Sequence, residues 1–275
     1  MLKRIFAWLL LPLLLVSPAR AAEKKSIDLP VVMYHHISKD PARWNDYVLS
    51  PEELECDLRW LRAHGYEAVR VSELLAWQDG RFEMPEKPVM ITFDDGYEST
   101  QDYAEPLLRQ YGYCGVVAVI GSVCEAFSAL DEHDAELSNL SWEDVRAMAE
   151  RGTIEVQCHT WDLHTLWPRR GCGRIRGESD ADCRAALTKD LRRFLKESEA
   201  HGIQLVPAIA YPYGSYDKTV TADAVCALGF RAAFTCTEKV NRLTGDAAEL
   251  YDLGRYNRPH GVTSEKFFAK WEENS

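Results

Sequence analysis

The stretch VMITFDDGYES, residues 89–99, decides the fold and raises the first question about function. An apolar, β-branched run ends in two adjacent acids, Asp94 and Asp95, and a glycine follows them. Successive side chains of a strand point to opposite faces, so the two carboxylates cannot share one side while the strand continues. Gly96 lets the backbone leave the strand sharply, and both carboxylates can then turn toward one cavity. An ordinary Asp-Gly turn is the alternative at this point.

Similar apolar runs recur along the chain and alternate with amphipathic helical segments. Strands are predicted in PVVMYH, EAVRV, PVMITF, CGVVAVI, TIEVQC, LVPAIAY and RAAFTC. Several segments between them begin at a capping residue, such as Ser50, and end at a glycine, such as Gly112. This alternation is typical of parallel strands joined by crossover helices. Seven such runs, with no internal repeat or linker, predict one α/β domain with a barrel or barrel-like sheet.

The N-terminus has the pattern of a targeting segment. Two basic residues precede the apolar stretch IFAWLLLPLLLV, and Ala19 and Ala21 follow in A-x-A spacing. We predict a secretory signal peptide over residues 1–22 and a mature domain over residues 23–275. The apolar stretch is short for a bilayer-spanning helix, so an uncleaved anchor is the weaker alternative. The mature protein is expected in the periplasm or outside the cell, without stable membrane insertion.

Charge and cysteine usage restrict the partners. Loss of Lys3, Arg4 and Arg20 with the signal peptide takes the net charge from −11 to −14. This acidity argues against nucleic acid or an anionic membrane as the main partner.

All eight cysteines lie after the predicted signal peptide and none forms a C-x-x-C pair, which disfavours a thiolate zinc site. Disulfides are expected instead, with Cys172–Cys183 and Cys226–Cys236 as candidate pairs, and buried free thiols are the alternative.

A second stretch, IEVQCHTWDLH, places two histidines after another predicted strand. His159 and His164 are five residues apart, which excludes a pair on one face of a helix. A strand end followed by a loop can still bring both imidazoles together at the sheet edge that carries the two acids. Two imidazoles and one carboxylate leave coordination positions open, as a catalytic metal requires. The combination therefore favours a metal site over two unrelated histidines.

Two further stretches end strands in the same way. In AIAYPYGSYD, Pro212 and Gly214 set a turn whose amide groups could face the cavity, although alone this is an ordinary loop. In VVMYHHIS, His35 and His36 are adjacent, so that only one of them can face the cavity. The other histidine is expected to pack elsewhere.

Together, the four stretches resemble the polysaccharide deacetylase family, the NodB homology domain. The resemblance implies a distorted (β/α) barrel of about seven strands and a metal-dependent hydrolase that removes N-acetyl groups from a polysaccharide containing N-acetylglucosamine. It implies Asp94 as the general base and the Tyr213 amide as an oxyanion donor. It also implies Asp95, His159 and His164 as ligands of a divalent metal, usually Zn²⁺, with Co²⁺ or Ni²⁺ as alternatives.

The sequence departs from the usual family pattern in two ways. The five-residue histidine spacing, with the early MYHHI, resembles the branch that deacetylates poly-β-1,6-N-acetylglucosamine of biofilm matrix, where the barrel is circularly permuted. That resemblance makes His35 the general acid, with His260 as the alternative. Ala210 stands where the family usually has an arginine, and Arg255 is a candidate substitute.

Several functions stay open from the sequence. Peptidoglycan, chitooligosaccharides or a non-sugar amide are alternative substrates for a deacetylase. Two histidines and a carboxylate also form the facial triad of Fe(II) oxygenases, but those ligands usually lie on an all-β scaffold. A non-catalytic sugar-binding module with a decayed site is a third interpretation. The missing arginine favours it, and the presence of all four expected site residues opposes it, namely Asp94, Asp95, His159 and His164. Metal content and acetate release separate these possibilities.

Overall fold

The structure is a computed structural model, and it describes residues 26–130 and 132–273. The predicted signal peptide, residues 1–22, lies outside the described residues. The strands of the described chain are β1 (Ile27–Leu29), β2 (Val31–Tyr34), β3 (His36–Ile37), β4 (Val48–Leu49), β5 (Glu67–Ala68), β6 (Pro88–Phe93), β7 (Gly115–Val119), β8 (Ile154–Cys158), β9 (Leu205–Ala210), β10 (Ala232–Phe234), β11 (Asn241–Leu243) and β12 (Tyr256–Asn257). The α-helices are α1 (Pro51–Ala63), α2 (Val71–Gln78), α3 (Glu105–Tyr111), α4 (Gly121–Leu130), α5 (Trp142–Arg151), α6 (Asp180–Ala200), α7 (Val220–Ala227) and α8 (Ser264–Glu273).

Seven strands form one parallel row in the order β10-β9-β8-β7-β6-β2-β12. The row curls so that its two ends meet, because the segment before β12 bonds to the segment at β10. The Leu253 N–H donates to the Ala233 carbonyl at 2.9 Å, and the Arg255 N–H donates to the Thr237 carbonyl at 3.0 Å. The predicted α/β fold with a distorted barrel of about seven strands is confirmed.

The membership of the row differs from the prediction at one strand. The EAVRV run yields only the two-residue β5, which pairs with β6 beside the row, and its last residue, Val71, already begins α2. The seventh strand is instead the short β12, which pairs with β2 through two residues. β12 is too short to show the apolar run that identified the other strands.

Local sequence signals define the helix ends. Helix α1 begins with a capping box, in which the Ser50 hydroxyl accepts from the Glu53 N–H and the Glu53 carboxylate accepts from the Ser50 N–H. Helix α3 ends at Gly112, whose left-handed conformation, with φ 75°, favours glycine. These ends set where each helix returns the chain to the sheet.

Strand β6 is buried along both faces, as expected of a parallel sheet covered by helices. Its residues alternate between two apolar clusters. Val89, Ile91 and Phe93 belong to the larger cluster, which includes the helices, whereas Met90 belongs to a smaller cluster with alanines of neighbouring strands. Alternation continues to Asp94, which therefore lies on the same face as Met90, at the carboxyl end of the sheet.

The expected disulfides are not present. All eight cysteines are free, including the buried Cys172 and Cys183. The segment between those two is held by ion pairs instead, since Arg169 binds Glu178 and Arg174 binds Asp217.

In the described part of the chain, no helix is long and apolar enough to cross a membrane.

Candidate active site and metal centre

The backbone explains how two adjacent acids reach one cavity. Asp94 still belongs to the sheet, because its N–H donates to the Tyr34 carbonyl at 2.9 Å. Asp95 then adopts a left-handed conformation with φ 69°, and Gly96 has the same φ. At Gly96 a Cβ would lie 3.1 Å from Cγ1 of Val119, which leaves little room for a side chain. The turn ends the alternation of the strand, so that His159 contacts Asp95 and also acts on Asp94 through its charge.

Asp95, His159 and His164 form a potential metal site. Their donor atoms all lie within 4.8 Å of one another. The Nε2 atoms of His159 and His164 are 3.3 Å and 3.2 Å from Oδ1 of Asp95. That oxygen is nevertheless buried without a hydrogen-bond partner. A buried, unpaired carboxylate oxygen that faces two imidazole nitrogens fits a divalent cation such as Zn²⁺.

Neighbouring groups orient both imidazoles. Nδ1 of His159 donates to the Ala210 carbonyl at 2.8 Å, which leaves Nε2 directed at Asp95. Nδ1 of His164 lies 3.1 Å from the Tyr213 hydroxyl, and its Nε2 is likewise directed at Asp95. Such outer contacts fix the tautomer of a metal-binding histidine and its ring orientation. The role of the Ala210 carbonyl could not be predicted from the sequence, because a backbone oxygen carries no residue identity.

The two acids are stabilised as anions by different partners. Burial alone would raise the pKa of Asp95, but contacts with His159 and His164 hold it well below its ordinary value. Burial also works against an ionised Asp94, and there the charge of Arg255 is the largest opposing effect and lowers the pKa. Burial disfavours the charged form of His159, but Asp94 and Asp95 outweigh it and raise the pKa. The site therefore carries two carboxylates at neutral pH.

Arg255 makes a bidentate ion pair with Asp94. Its Nη1 and Nη2 atoms each donate to one carboxylate oxygen at 2.7 Å, and the guanidinium is fully buried. Nε of Arg255 donates to the Thr235 carbonyl at 3.0 Å, and Nη1 lies 3.4 Å from the Thr92 hydroxyl. Arg255 was a candidate substitute for the arginine absent at Ala210, and in the structure it is the cation that pairs with Asp94.

The structure separates the two candidate general acids, His35 and His260, and also the neighbouring His36. His35 lies close enough to Asp94 and Asp95 for both charges to act on it. Burial nevertheless lowers its pKa, and its Nδ1 is buried without a hydrogen-bond partner. His36 turns away, with its Nδ1 2.9 Å from the Ser99 hydroxyl. His260 is bound elsewhere, with its Nδ1 2.8 Å from the Glu53 carboxylate.

Tyr213 lies in the tight turn Pro212–Gly214 at the end of β9. Its ring packs against His164 at a centroid distance of 4.6 Å. Its φ is 57°, and the other non-glycine residues with positive φ in the described chain are Asp95 and Thr160. Each of the three is a site residue or adjoins one, and strained backbone commonly gathers at functional sites. Sequence reasoning missed Thr160, because a threonine gives no signal for a left-handed conformation.

A family model described as polysaccharide deacetylase matches residues 82–233, more than half of the chain. Asp94, Asp95, His159, His164 and Tyr213 lie inside this segment. His35 and Arg255 lie outside it, on opposite sides.

Two relatives and one solved structure illustrate the similarity. The putative polysaccharide deacetylase YxkH of Bacillus subtilis is 33% identical over 152 residues, which cover 54% of this chain and 48% of that protein. The poly-β-1,6-N-acetyl-D-glucosamine N-deacetylase of Staphylococcus aureus (strain MSSA476) is 29% identical over 171 residues, 62% of this chain and 54% of that protein. The chain thus spans about half the length of both relatives.

The solved de-N-acetylase from Aggregatibacter actinomycetemcomitans superposes with a TM-score of 0.75 at 23% identity. It covers 90% of this chain, and this chain covers all of it. This similarity supports the fold. The circular permutation expected relative to most of the family stays a prediction.

Proposed function

We propose that this chain, which belongs to the polysaccharide deacetylase family, is a metal-dependent hydrolase that removes N-acetyl groups from a polysaccharide containing N-acetylglucosamine. One observation carries the proposal. The adjacent acids have separate partners, Asp94 in a bidentate pair with Arg255 and Asp95 with two imidazoles. One carboxylate is therefore available as a base while the other is available as a ligand.

The metal would be held by Asp95, His159 and His164. A divalent cation there supplies Lewis-acid polarisation of the acetyl carbonyl and lowers the pKa of a nearby water. We propose Zn²⁺, with Co²⁺ or Ni²⁺ as alternatives, because imidazole and carboxylate donors suit all three ions. Three protein ligands leave room for water and substrate.

Asp94 is proposed to take the proton of the water that attacks the acetyl carbon. Its lowered pKa keeps it ionised, and the Arg255 contact fixes the orientation of its carboxylate. General bases positioned in this way contribute about 10²–10⁴-fold to rate.

His35 is proposed to give a proton to the departing amine, and the Tyr213 amide to donate to the oxyanion of the tetrahedral intermediate. A preorganised donor at that oxygen is worth about 10²–10³-fold. The products are acetate and a free amino sugar, which becomes cationic. The net charge of the chain, −11, is compatible with that product.

Among possible substrates we propose poly-β-1,6-N-acetylglucosamine first. The support is the name of the Staphylococcus aureus relative and the five-residue spacing of His159 and His164. Peptidoglycan and chitooligosaccharides are the alternatives. We also propose that residues 1–22 are a signal peptide and residues 23–275 the exported deacetylase domain. N-terminal sequencing of exported protein that begins at Met1 would contradict this export proposal.

The decisive experiment measures acetate release from a panel of β-1,6 and β-1,4 N-acetylglucosamine oligomers with the metal-loaded protein. The matched control is Asp94→Asn, which keeps the shape of the side chain and removes the base. We expect release by the native protein, highest on β-1,6 oligomers, and a loss of about 10²–10⁴-fold in the variant. No acetate from any oligomer would refute the proposed activity, whereas a preference for β-1,4 oligomers would refute only the proposed linkage.

A further inference from the structure

The backbone conformation of Asp95 decides whether its carboxylate reaches the two imidazoles. Asp95 and Gly96 both have φ 69°, a left-handed conformation that is unfavourable for a residue with a Cβ. If the chain continued as a strand instead, the carboxylate of Asp95 would point to the face opposite that of Asp94. The contacts that hold this turn therefore decide where the carboxylate lies before any cation binds.

The segment of residues 134–140 binds the turn from outside, and we call this segment the strap. The Asn139 side-chain amide donates to the Asp95 carbonyl at 3.0 Å, and the Leu140 N–H donates to the Gly96 carbonyl at 2.8 Å. Two consecutive carbonyls of the turn thus accept from two consecutive residues of the strap. These two bonds fix the peptide groups on both sides of Gly96.

The strap is itself anchored at several points. At its start the Asp134 N–H donates to the Glu98 carboxylate at 3.0 Å, and near its end the Ser138 carbonyl accepts from the Glu98 N–H at 3.0 Å. Between these points the Glu136 carboxylate accepts from the Lys39 N–H at 2.9 Å, which joins the strap to the segment after β3. The Asn139 amide is therefore held in place by contacts that do not depend on Asp95.

Asn139 differs from the other strap residues that bind the turn near Gly96. Leu140 and Ser138 contribute backbone atoms, which any residue other than proline would supply at those positions. The bond to the Asp95 carbonyl comes from a half-buried side-chain amide, so it depends on the identity of residue 139. Loss of this amide would free the peptide group between Asp95 and Gly96 to rotate.

We propose that Asn139 is a positioning residue for the metal site, whose amide holds the Asp95 turn in place and thereby raises the affinity for a divalent cation. Oδ1 of Asp95 lies 3.3 Å and 3.2 Å from the Nε2 atoms of His159 and His164, and this arrangement requires the turn. The imidazoles are oriented by outer contacts of their own, and Asn139 supplies the corresponding contact for the carboxylate residue. The inference rests on the proposed function and deepens it.

The test measures the affinity for Zn²⁺ at neutral pH by competition with a chromophoric chelator. Asn139→Leu keeps the branched shape of the side chain and removes the donating amide, whereas Asn139→Ala removes both. Loss of an outer contact typically weakens metal binding about 10–100-fold, so we expect the Kd for Zn²⁺ to rise by that factor in both variants. A native Kd in either variant would overturn the proposal.

Ser128→Ala is the matched control. The Ser128 hydroxyl accepts from the Trp142 N–H at 2.8 Å, two residues after the strap ends. This variant removes one side-chain hydrogen bond to the nearby backbone and leaves the contact with Asp95 intact. We expect its Kd for Zn²⁺ to equal that of the native protein. A rise as large as that in Asn139→Leu would mean that any loosening of this region weakens the site, and would overturn the proposal.

Thermal denaturation with and without Zn²⁺ separates a positioning role from a role in folding alone. A cation that binds the folded state raises Tm by an amount that depends on its affinity. We expect a smaller Zn²⁺-induced rise in Asn139→Leu than in the native protein. A lower Tm of the metal-free variant with an unchanged Zn²⁺-induced rise would assign Asn139 to folding alone and overturn the proposal.

These measurements contain no sugar, so they also separate the inference from the proposed activity. Weaker Zn²⁺ binding in both Asn139 variants supports the inference even if no oligomer is deacetylated. Unchanged Zn²⁺ binding overturns it even if the native protein releases acetate. A native protein that binds no Zn²⁺ would overturn the proposed metal site and this inference together.

Discussion

Replacement of Arg255 tests whether this residue keeps the proposed base ionised. Arg255→Gln removes a bidentate partner from Asp94, which is only 3% exposed. An opposite charge at this range typically lowers a carboxyl pKa by about 1–3 units, so we expect the acid limb of the kcat/KM profile to move upward by about that amount. Each unit costs tenfold in rate at a fixed pH below the new pKa.

The same substitution leaves a buried charge without its partner, which costs about 3–5 kcal/mol of folding free energy. For a domain of this size that corresponds to a Tm loss of roughly 6–20 °C. The substitution also reverses the direction in which folding stability depends on pH. In the native protein the lowered pKa of Asp94 gives stability that is lost as pH falls through that pKa. In the variant the raised pKa reverses this, and stability increases as Asp94 becomes protonated.

Arg258→Gln provides the matched control. Arg258 lies just after β12, as Arg255 lies just before it, and it is also buried in a two-point ion pair, with Asp57 at 2.7 Å and 3.1 Å. Its loss should cost similar stability without moving the acid limb, because Asp57 is not at the site. The assays are thermal denaturation and kcat/KM from pH 4 to 8 on a soluble oligomer. An acid limb that stays in place in Arg255→Gln, or that moves equally in Arg258→Gln, would refute the reasoning.

Three further outcomes are expected. Alanine at His159 or His164 should lower bound metal well below one equivalent by elemental analysis and abolish activity, and full metal occupancy in both variants would contradict the ligand assignment. Asp94→Asn should keep its metal and lose turnover, and a variant that lost its metal would exchange the roles of the two acids. His35→Ala should reduce kcat about 10²–10⁴-fold on the amide and much less on an activated ester, whereas His260→Ala should not. The opposite result would assign the role of general acid to His260, near the C-terminal end.

The sequence was sufficient for the fold class because the decisive strands carry a strong local signal. Six strands of the row are apolar runs bounded by helices and turns. β12 escaped prediction because it has two residues, and its place is fixed by pairing with β2, which is a tertiary property. The EAVRV run shows the converse, since its β-branched residues favour a strand locally but Val71 begins α2.

The site was predictable where it depends on residue type and position at strand ends. Parallel strands that end at one edge placed a carboxylate beside His159 and His164, the family resemblance selected Asp95 as that carboxylate, and the structure brings the three residues together. The contacts that orient them were not predictable in the same way. The Ala210 carbonyl that binds His159, and the Thr235 carbonyl that binds Arg255, are backbone atoms whose position exists only after folding.

The strained backbone supports the proposal of a catalytic site over that of a decayed remnant. Asp95, Thr160 and Tyr213 each hold a conformation that costs a non-glycine residue of order 1–3 kcal/mol. At Asp95 the surrounding chain enforces it, since Asn139 donates to the Asp95 carbonyl at 3.0 Å. At Thr160 the carbonyl accepts from the Gly121 N–H at 3.0 Å, next to the ligand candidate His159.

A protein that only bound sugar would gain stability by relaxing these positions, because no step of simple binding requires a carboxylate and two imidazoles directed at one point. The left-handed conformation turns Asp95 toward the imidazoles although Asp94 occupies the inward position of the strand, as the proposed catalysis would need before any ligand arrives. Preorganised donors of this kind avoid the cost of rearrangement during reaction. The Oδ1 atom of Asp95, buried without a hydrogen-bond partner, also supports this proposal, because a bound cation would recover the cost of its desolvation.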